Sequence, residues 1–456
     1  MIFVAGERPR FGFEQSMTLP LHEPIPQRPT RRRFLATAAA GFALWQCGRR
    51  ASGQVTGPAA PRLAAYDDLM TDFLREHKPP GAALAVSYHG RLVYARGFGH
   101  ADVEKRQPVR PNSLFRIASI SKPFTSAAVL HLVQKGKLGL DDRVFPILRL
   151  EPLLEPGATM DPRWREITVR QCLQHTGGWN RNKSFDPMGA ETAEQVAKAL
   201  KVPLPIHPKQ IIRYTMGKPL DFAPGTAYAY SNFGYCVLGR VIEAVSGKPY
   251  PSFVVNNVLA PLGIRDMQLG RNLLRDRAAG EVKYYDGNDR TGRAISGPKI
   301  GKQVPLPYGV ECIETMDANG GWIASAVDLV RFAAALDDPE KCPILSKPTI
   351  ETMLAPPPGS VGHRLKGQPK AEYYACGWNV RPAPRQPDRW TKWHGGLLAG
   401  SSTLLVCRDD GIDWAALFNC DADRGGKEFS GLIDPLLHQV SDGIKNWPEI
   451  DLFPEF

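Results

Sequence analysis

Phe115-Arg116-Ile117-Ala118-Ser119-Ile120-Ser121-Lys122-Pro123-Phe124 sets a hydroxyl and an amine three residues apart at a helix start. Pro123 has no N–H and fits only the first helical turn, where backbone donors lack an intrahelical partner. The helix is therefore expected to begin close to Ser119. It should run through Phe124, Ala127, Ala128, Leu130, Leu132 and Val133 to a stop at Gly136. Residues three apart share a helical face, so the Lys122 amine can reach the Ser119 hydroxyl. Burial beside groups such as Phe115, Ile117 and Phe124 penalises the ammonium form, and a neutral amine can take the serine proton. The N–H of Ser119, at the positive end of the helix, can face a developing oxyanion. The same spacing also fits a serine cap beside a surface lysine, so further motifs must decide between the two.

Working outward, the 456 residues carry an ordinary globular composition, 43% hydrophobic and 23% charged, which excludes intrinsic disorder. The formal charge is +11, but residues 1–53 hold eight Lys/Arg and three Asp/Glu, which leaves +6 for the remainder. That surplus is spread without aromatic–basic interleaving, so no nucleic-acid partner is expected. Cys47, Cys172, Cys236, Cys312, Cys342, Cys376, Cys407 and Cys420 form neither a C-x-x-C pair nor a Cys/His cluster. Neither a metal nor a cofactor is expected. With Cys47 in the leader, seven cysteines remain, an odd number that does not read as a disulfide framework.

Thr30-Arg31-Arg32-Arg33-Phe34-Leu35-Ala36 precedes the apolar run Thr37 to Trp45, which is too short for a permanent bilayer anchor. This order resembles a twin-arginine export signal, and Ala51-Ser52-Gly53 offers a cleavage site. Met17 is an alternative start, and the bulky residues of Leu44-Trp45-Gln46-Cys47 make a poor lipoprotein box. The expectation is an export leader over 1–53, a folded domain over 54–456, no stable membrane anchor, and a periplasmic or extracellular location.

A helix is expected from Leu63 to Glu76, then strands Gly81 to Tyr88 and Leu92 to Phe98 joined by a tight turn at His89-Gly90. A helix-like stretch from Ile167 to Gln174 leads into His175-Thr176-Gly177-Gly178. His175 reads as a buried histidine bonded to backbone at a helix C-terminus, outside the site. Another helix is expected around Glu191 to Leu200. The loop Phe222 to Asn232 opens a helix from Phe233 to Val245, and Tyr230 and Asn232 flank one extended residue, so they can face the same way. A phenol beside an ammonium ionises more easily and can serve as general base and later as proton donor. Residues 271–318 read as a long loop over a cleft. Asn319-Gly320-Gly321 starts a further helix in which Ser325 and Asp328 form a capping box. Trp390 to Trp393, Thr403 to Cys407 and Trp414 to Phe418 read as strands, the first running into His394-Gly395-Gly396-Leu397, where two glycines admit a ligand to the backbone.

Taken together, Ser119-Ile120-Ser121-Lys122, Tyr230-Ser231-Asn232 and His394-Gly395-Gly396 stand in the order of the three motifs of the serine β-lactamase and penicillin-binding-protein superfamily. From about Leu63 to beyond Phe418 the chain resembles the class C-like branch, which includes esterases, D-aminopeptidases, DD-peptidases and β-lactamases. Leu173-Gln174-His175-Thr176-Gly177, Ala223-Pro224-Gly225 and Gly320-Gly321 add to the resemblance. It implies an α/β fold in which an antiparallel sheet from both chain ends is flanked by helices, with a mostly helical lobe inserted. It further implies that Ser119 is acylated and that Lys122 and Tyr230 exchange its proton. Asn232, His394, Gly395 and Gly396 then bind substrate, and the N–H groups of Ser119 and Leu397 form the oxyanion hole.

The third motif departs from the Lys-Thr-Gly of β-lactamases, because His394 and Gly395 replace the cation and hydroxyl that hold a substrate carboxylate. Near pH 7 an imidazole is largely neutral, so carboxylate recognition should weaken. A small ester is the favoured substrate. A D-amino amide or peptide, a peptidoglycan fragment, a β-lactam, or a non-catalytic scaffold of the same fold are the alternatives.

Overall fold

Strands Gly81–Tyr88 and Arg91–Asp102 form the expected antiparallel hairpin, closed by His89 and Gly90 at φ 48° and 77°. Both turn residues are left-handed, the twist a two-residue hairpin needs. In the computed structural model, which describes residues 54–365, 368–383 and 386–456, this hairpin joins C-terminal strands in one nine-stranded sheet. Gly81–Tyr88 pairs antiparallel with Ile412–Phe418, which is followed by Ser401–Cys407, Gln386–Leu398 and Asn379–Ala383. The arginine-rich leader lies outside the described residues.

Period-2 alternation sends the two faces of each central strand to different cores. Ala82, Leu84, Val86, Trp414, Ala416 and Phe418 pack with Tyr66, Met70 and Phe73 of helix Ala64–His77 and with Phe429, Ile433 and Leu437 of helix Phe429–Gly443. Ala83, Ala85, Ala415 and Leu417 face the opposite way, toward Phe124, Val330 and the helical lobe. Because both faces are covered, these strands read as continuous apolar runs rather than as alternating ones.

The lobe inserted between the two halves of the sheet is mostly helical, as the resemblance implied. Ser121–Gln134 lies in its middle and is buried nearly all round, which explains its lack of a polar stripe. It is preceded by a 3-10 turn, Ala118–Ile120, so the helical path does begin close to Ser119, and it ends just before Gly136 at φ 66°. Asn232–Ser246 is N-capped by the Ser231 hydroxyl and stopped by Gly247 at φ 67°. Short helices at Val144–Leu148, Pro208–Met216 and Tyr250–Val254 fill out the lobe.

Three expectations change. The strand read as Trp390 to Trp393 spans Gln386–Leu398, so His394-Gly395-Gly396 lies inside it rather than after it. The stretch from Asn319 divides into a short helix Asp317–Gly320, a strand Trp322–Ala324 that pairs with Phe115–Arg116, and a helix Ala326–Asp337 that begins at the Ser325–Asp328 capping box. Residues 271–318 are not a free loop. They hold a small hairpin, Thr291–Arg293 with Gln303–Pro305, and they grip the buried Arg116, whose guanidinium donates to Pro307 O (2.7 Å) and Arg271 O (2.8 Å). Arg116 also lies 4.4 Å from the Tyr284 ring centroid.

The nucleophile segment is thus held from several sides. Ser401 Oγ donates to Arg116 O (2.6 Å), Thr403 Oγ1 donates to Ile117 O (3.1 Å), and Ile117 N donates to Trp322 O (3.0 Å). Gly396 is part of this clamp. A Cβ there would fall 2.2 Å from Ile117 O and 2.3 Å from Thr403 Oγ1, whereas one on Gly395 would meet only Thr403 O at 3.8 Å. The first glycine of the pair is the open one; the second exists so that two backbones can touch. Gly396→Ala is expected to lower stability by about 1–3 kcal/mol through overpacking, and Gly395→Ala by less than about 0.5 kcal/mol. Urea unfolding of the two variants checks this, and equal losses would disprove the asymmetry.

Candidate active site

The helical start brings Lys122 Nζ to 3.0 Å from Ser119 Oγ, and the loop before Asn232–Ser246 brings the Tyr230 hydroxyl to 2.9 Å from the same oxygen. Ala118, immediately before the serine, adopts a left-handed φ of 48°. That conformation costs a non-glycine residue about 1–2 kcal/mol, and the clamp around Arg116 and Ile117 holds it in place.

Lys122 is fully buried, and its amine is within 2.8 Å of both Asn232 Oδ1 and the main-chain oxygen of Asn319. Burial, reinforced by the Arg181 charge, holds its pKa well below the usual lysine value. A neutral amine has two hydrogens and one lone pair. The two carbonyl oxygens can only accept, so they take both hydrogens, and the lone pair is left for the Ser119 hydroxyl. The amine lies over the rings of Tyr230 (centroid 4.9 Å) and Tyr235 (5.6 Å).

Tyr230 also departs from expectation. Burial pushes its phenol up to about 12, outweighing the hydrogen bond with Ser119 and the Arg181 charge. Tyr230 is therefore a proton donor to Ser119 Oγ in the resting site. Asn232 is brought to the site, but its side-chain oxygen is committed to Lys122, which leaves its Nδ2 hydrogens facing outward from that bond.

His394 is buried beside these groups, its ring centroid 6.4 Å from that of Tyr230. Its Nδ1 lies 2.7 Å from Gly395 O and its Nε2 lies 3.0 Å from the Tyr374 hydroxyl. The carbonyl can only accept, so Nδ1 carries the hydrogen and Nε2 accepts from Tyr374. Burial, followed by the nearby Lys122, lowers the imidazole pKa to about 3. Nothing cationic stands at this position. Gly395, Gly396 and Leu397 follow on the same strand, where pairing with Asn379–Ala383 has ended at Trp393.

Sequence reasoning missed Tyr374, Arg181 and Asp186. Arg181 stands 5.6 Å from the Tyr230 ring centroid and forms an ion pair of 3.7 Å with Asp186. No motif marks them, since each reaches the site from a loop or an edge strand. Among the described residues the only cluster with metal-ligand spacing is Asp337, at the end of helix Ala326–Asp337, with the cross-strand pair Cys407 and Asp413. The seven described cysteines are free thiols.

The chain belongs to the Beta-lactamase family, whose profile matches residues 66–430. It is 32% identical to Esterase EstB of Burkholderia gladioli over 257 residues, which cover 55% of this chain and 61% of that protein. The chain thus matches about three fifths of that relative's length. The octameric penicillin-binding protein homologue from Pyrococcus abyssi shares its fold with a TM-score of 0.61 at 24% identity, covering 87% of this chain and 80% of that one. The D-amino acid amidase from Ochrobactrum anthropi SV3 does so with a TM-score of 0.62 at 20% identity, covering 85% and 99%.

The two displaced pKa values fix a pH profile for any acylation of Ser119. The rate should rise as Lys122 loses its proton, reach a plateau well below the ordinary lysine value of 10.5, and hold until the Tyr230 phenol titrates at about 12. Stopped-flow acylation between pH 5 and 10.5 tests this. A rate still climbing at the upper end of that range would mean that the amine is charged in the resting site.

Proposed function

We propose that residues 54–456 form a serine hydrolase that acts through an acyl-enzyme on Ser119 and prefers small carboxylic esters. The observation that carries this reading is the single serine oxygen held between the lone pair of a neutral Lys122 (3.0 Å) and the hydroxyl of Tyr230 (2.9 Å). As Ser119 Oγ bonds to the substrate carbonyl carbon, its proton passes to Lys122 Nζ. The resulting oxyanion is stabilised by the N–H groups of Ser119 and Leu397. When the C–O bond to the leaving group breaks, Tyr230 gives its phenolic proton to the departing oxygen and is reprotonated from the Lys122 ammonium. Water then attacks the acyl carbon, delivers its proton back through the same pair, and releases the acid and free Ser119. Asn232 Nδ2 and the open strand edge at Gly395 hold the substrate.

The ester preference rests on His394. A neutral imidazole whose Nε2 already accepts from Tyr374 offers a substrate carboxylate neither charge nor a free donor. The similarity to Esterase EstB points the same way. The amidase likeness extends only to the fold, so a D-amino amide is the second substrate to try.

A fluorophosphonate should label the wild type and not Ser119→Ala, and labelling of neither would leave a scaffold. Lys122→Ala and Tyr230→Phe should each slow acylation by about 10²-fold or more. In a panel of a short-chain nitrophenyl ester, a chromogenic cephalosporin and a D-alanyl amide, the ester should turn over fastest. Turnover of the cephalosporin alone would reverse the assigned specificity.

We also infer that residues 1–53 direct twin-arginine export to the periplasm or beyond. No helix among the described residues is long and apolar enough to cross a membrane. Replacing Arg31 and Arg32 by Lys should hold the full chain in the cytoplasm, read by cell fractionation. Unchanged export would remove the signal.

A further inference from the structure

His175 is buried and bonds backbone after a helix end, as the sequence suggests. It does end a helical stretch in a left-handed turn, at φ 57°, but every group it carries is turned toward the tyrosine of the site. Its main-chain oxygen accepts from Ala229 N (3.0 Å), and its Nδ1 accepts from Ser231 N (3.2 Å). These are the residues immediately before and after Tyr230. Its ring centroid lies 4.3 Å from that of Tyr230 on one side and 4.3 Å from that of Tyr374 on the other. Ser231 and Asn232 extend the arrangement, the first capping helix Asn232–Ser246 and the second bonding Lys122.

We propose that His175 is the positioning residue of the acid–base tyrosine, clamping the chain on both sides of Tyr230 and setting the phenol against Ser119 Oγ. The inference rests on the reading of Tyr230 as proton carrier. A phenol hinged on a loop has two free torsions, and a displacement of about 1 Å at its oxygen can cost about 10²-fold in rate. The two hydrogen bonds fix the backbone path, and the imidazole plane fills the space into which the phenol ring would otherwise turn.

The residue type follows from these demands. A φ near 57° favours glycine or asparagine, but glycine offers no acceptor and asparagine no ring. For Nδ1 to accept, the single hydrogen must sit on Nε2, so the ring has to be neutral. Burial above all, with the Arg181 charge acting in the same direction, keeps the His175 pKa well below its usual value, so the lone pair persists at neutral pH. Among the described residues His175 Nε2 meets no hydrogen-bond partner, consistent with a side chain placed for its Nδ1 and its plane.

The test uses His175→Asn and His175→Gly, each alone and combined with Tyr230→Phe. Both replacements accept the left-handed backbone. Asparagine keeps an acceptor at the position of Nδ1, and glycine does not. The readout is the second-order rate of Ser119 acylation by a short-chain nitrophenyl ester, with thermal unfolding as the check on folding. In the wild-type background glycine should slow acylation by about 10-fold or more, and asparagine by less than about 3-fold. With Tyr230→Phe the glycine effect should shrink below about 2-fold, because nothing remains to be positioned. An equal glycine effect in both backgrounds, or asparagine no better than glycine, overturns the proposal. A near-normal Tyr230→Phe single variant instead overturns the acid–base reading beneath it. If the glycine variant does not fold, His175→Met, which fills the pocket without offering nitrogen or oxygen, takes its place and is read the same way.

Discussion

The arrangement around Ser119 depends on the removal of one lysine amine from water. In bulk solvent Lys122 would hold a proton and could not accept another. Inside the protein it is fully buried, and the Arg181 charge opposes protonation further. Desolvation alone would leave the amine unoriented. The carbonyl oxygens of Asn232 and Asn319, each 2.8 Å away, take its two hydrogens and aim its lone pair at the serine. The first oxygen belongs to the helical lobe and the second to the short helix Asp317–Gly320. The amine therefore works only when the lobe and the segment leading into strand Trp322–Ala324 are both docked on the nucleophile helix.

That docking explains much of the surrounding construction. Arg240, buried in helix Asn232–Ser246, donates to Asp317 Oδ2 (2.6 Å) and ties the lobe to the segment that carries Asn319. Burial raises the Asp317 pKa, and the Arg240 charge beside it acts against that rise. Arg116 anchors the other side through main-chain oxygens of residues 271 and 307, while strand Ser401–Cys407 holds the carbonyls of Arg116 and Ile117. A left-handed Ala118 is sustained between these grips. The strain falls one residue before Ser119, where it sets the direction of the helix start.

The electrostatics of the cleft follow from the residues around the third motif. His394 is neutral by burial and engaged by Tyr374, so the nearest positive charge to the tyrosine ring is Arg181, itself paired with Asp186. Four aromatic or imidazole rings, those of His175, Tyr230, Tyr374 and His394, pack against one another with centroids 4.3 to 6.4 Å apart. Such a wall is aromatic and carries no fixed charge of its own.

The sequence by itself determined what is local or periodic. A proline in the first turn placed the nucleophile helix, a two-residue turn placed the first hairpin, and S-x-x-K spacing brought Ser119 and Lys122 together, because each of these depends on a few consecutive dihedrals. Motif order was enough to assign the fold and to pick out Tyr230, Asn232 and His394. Tertiary structure decided how these groups behave. It turned Tyr230 from an easily ionised phenol into a donor, directed Asn232 toward Lys122, locked the His394 tautomer through Tyr374, and gave Gly396 to packing rather than to a ligand. It also brought Arg181 and Tyr374 to the site, which no spacing marked, and set His175 against Tyr230. Burial and the identity of a long-range hydrogen-bond partner are set by segments tens to hundreds of residues away, so no reading along the chain can supply them.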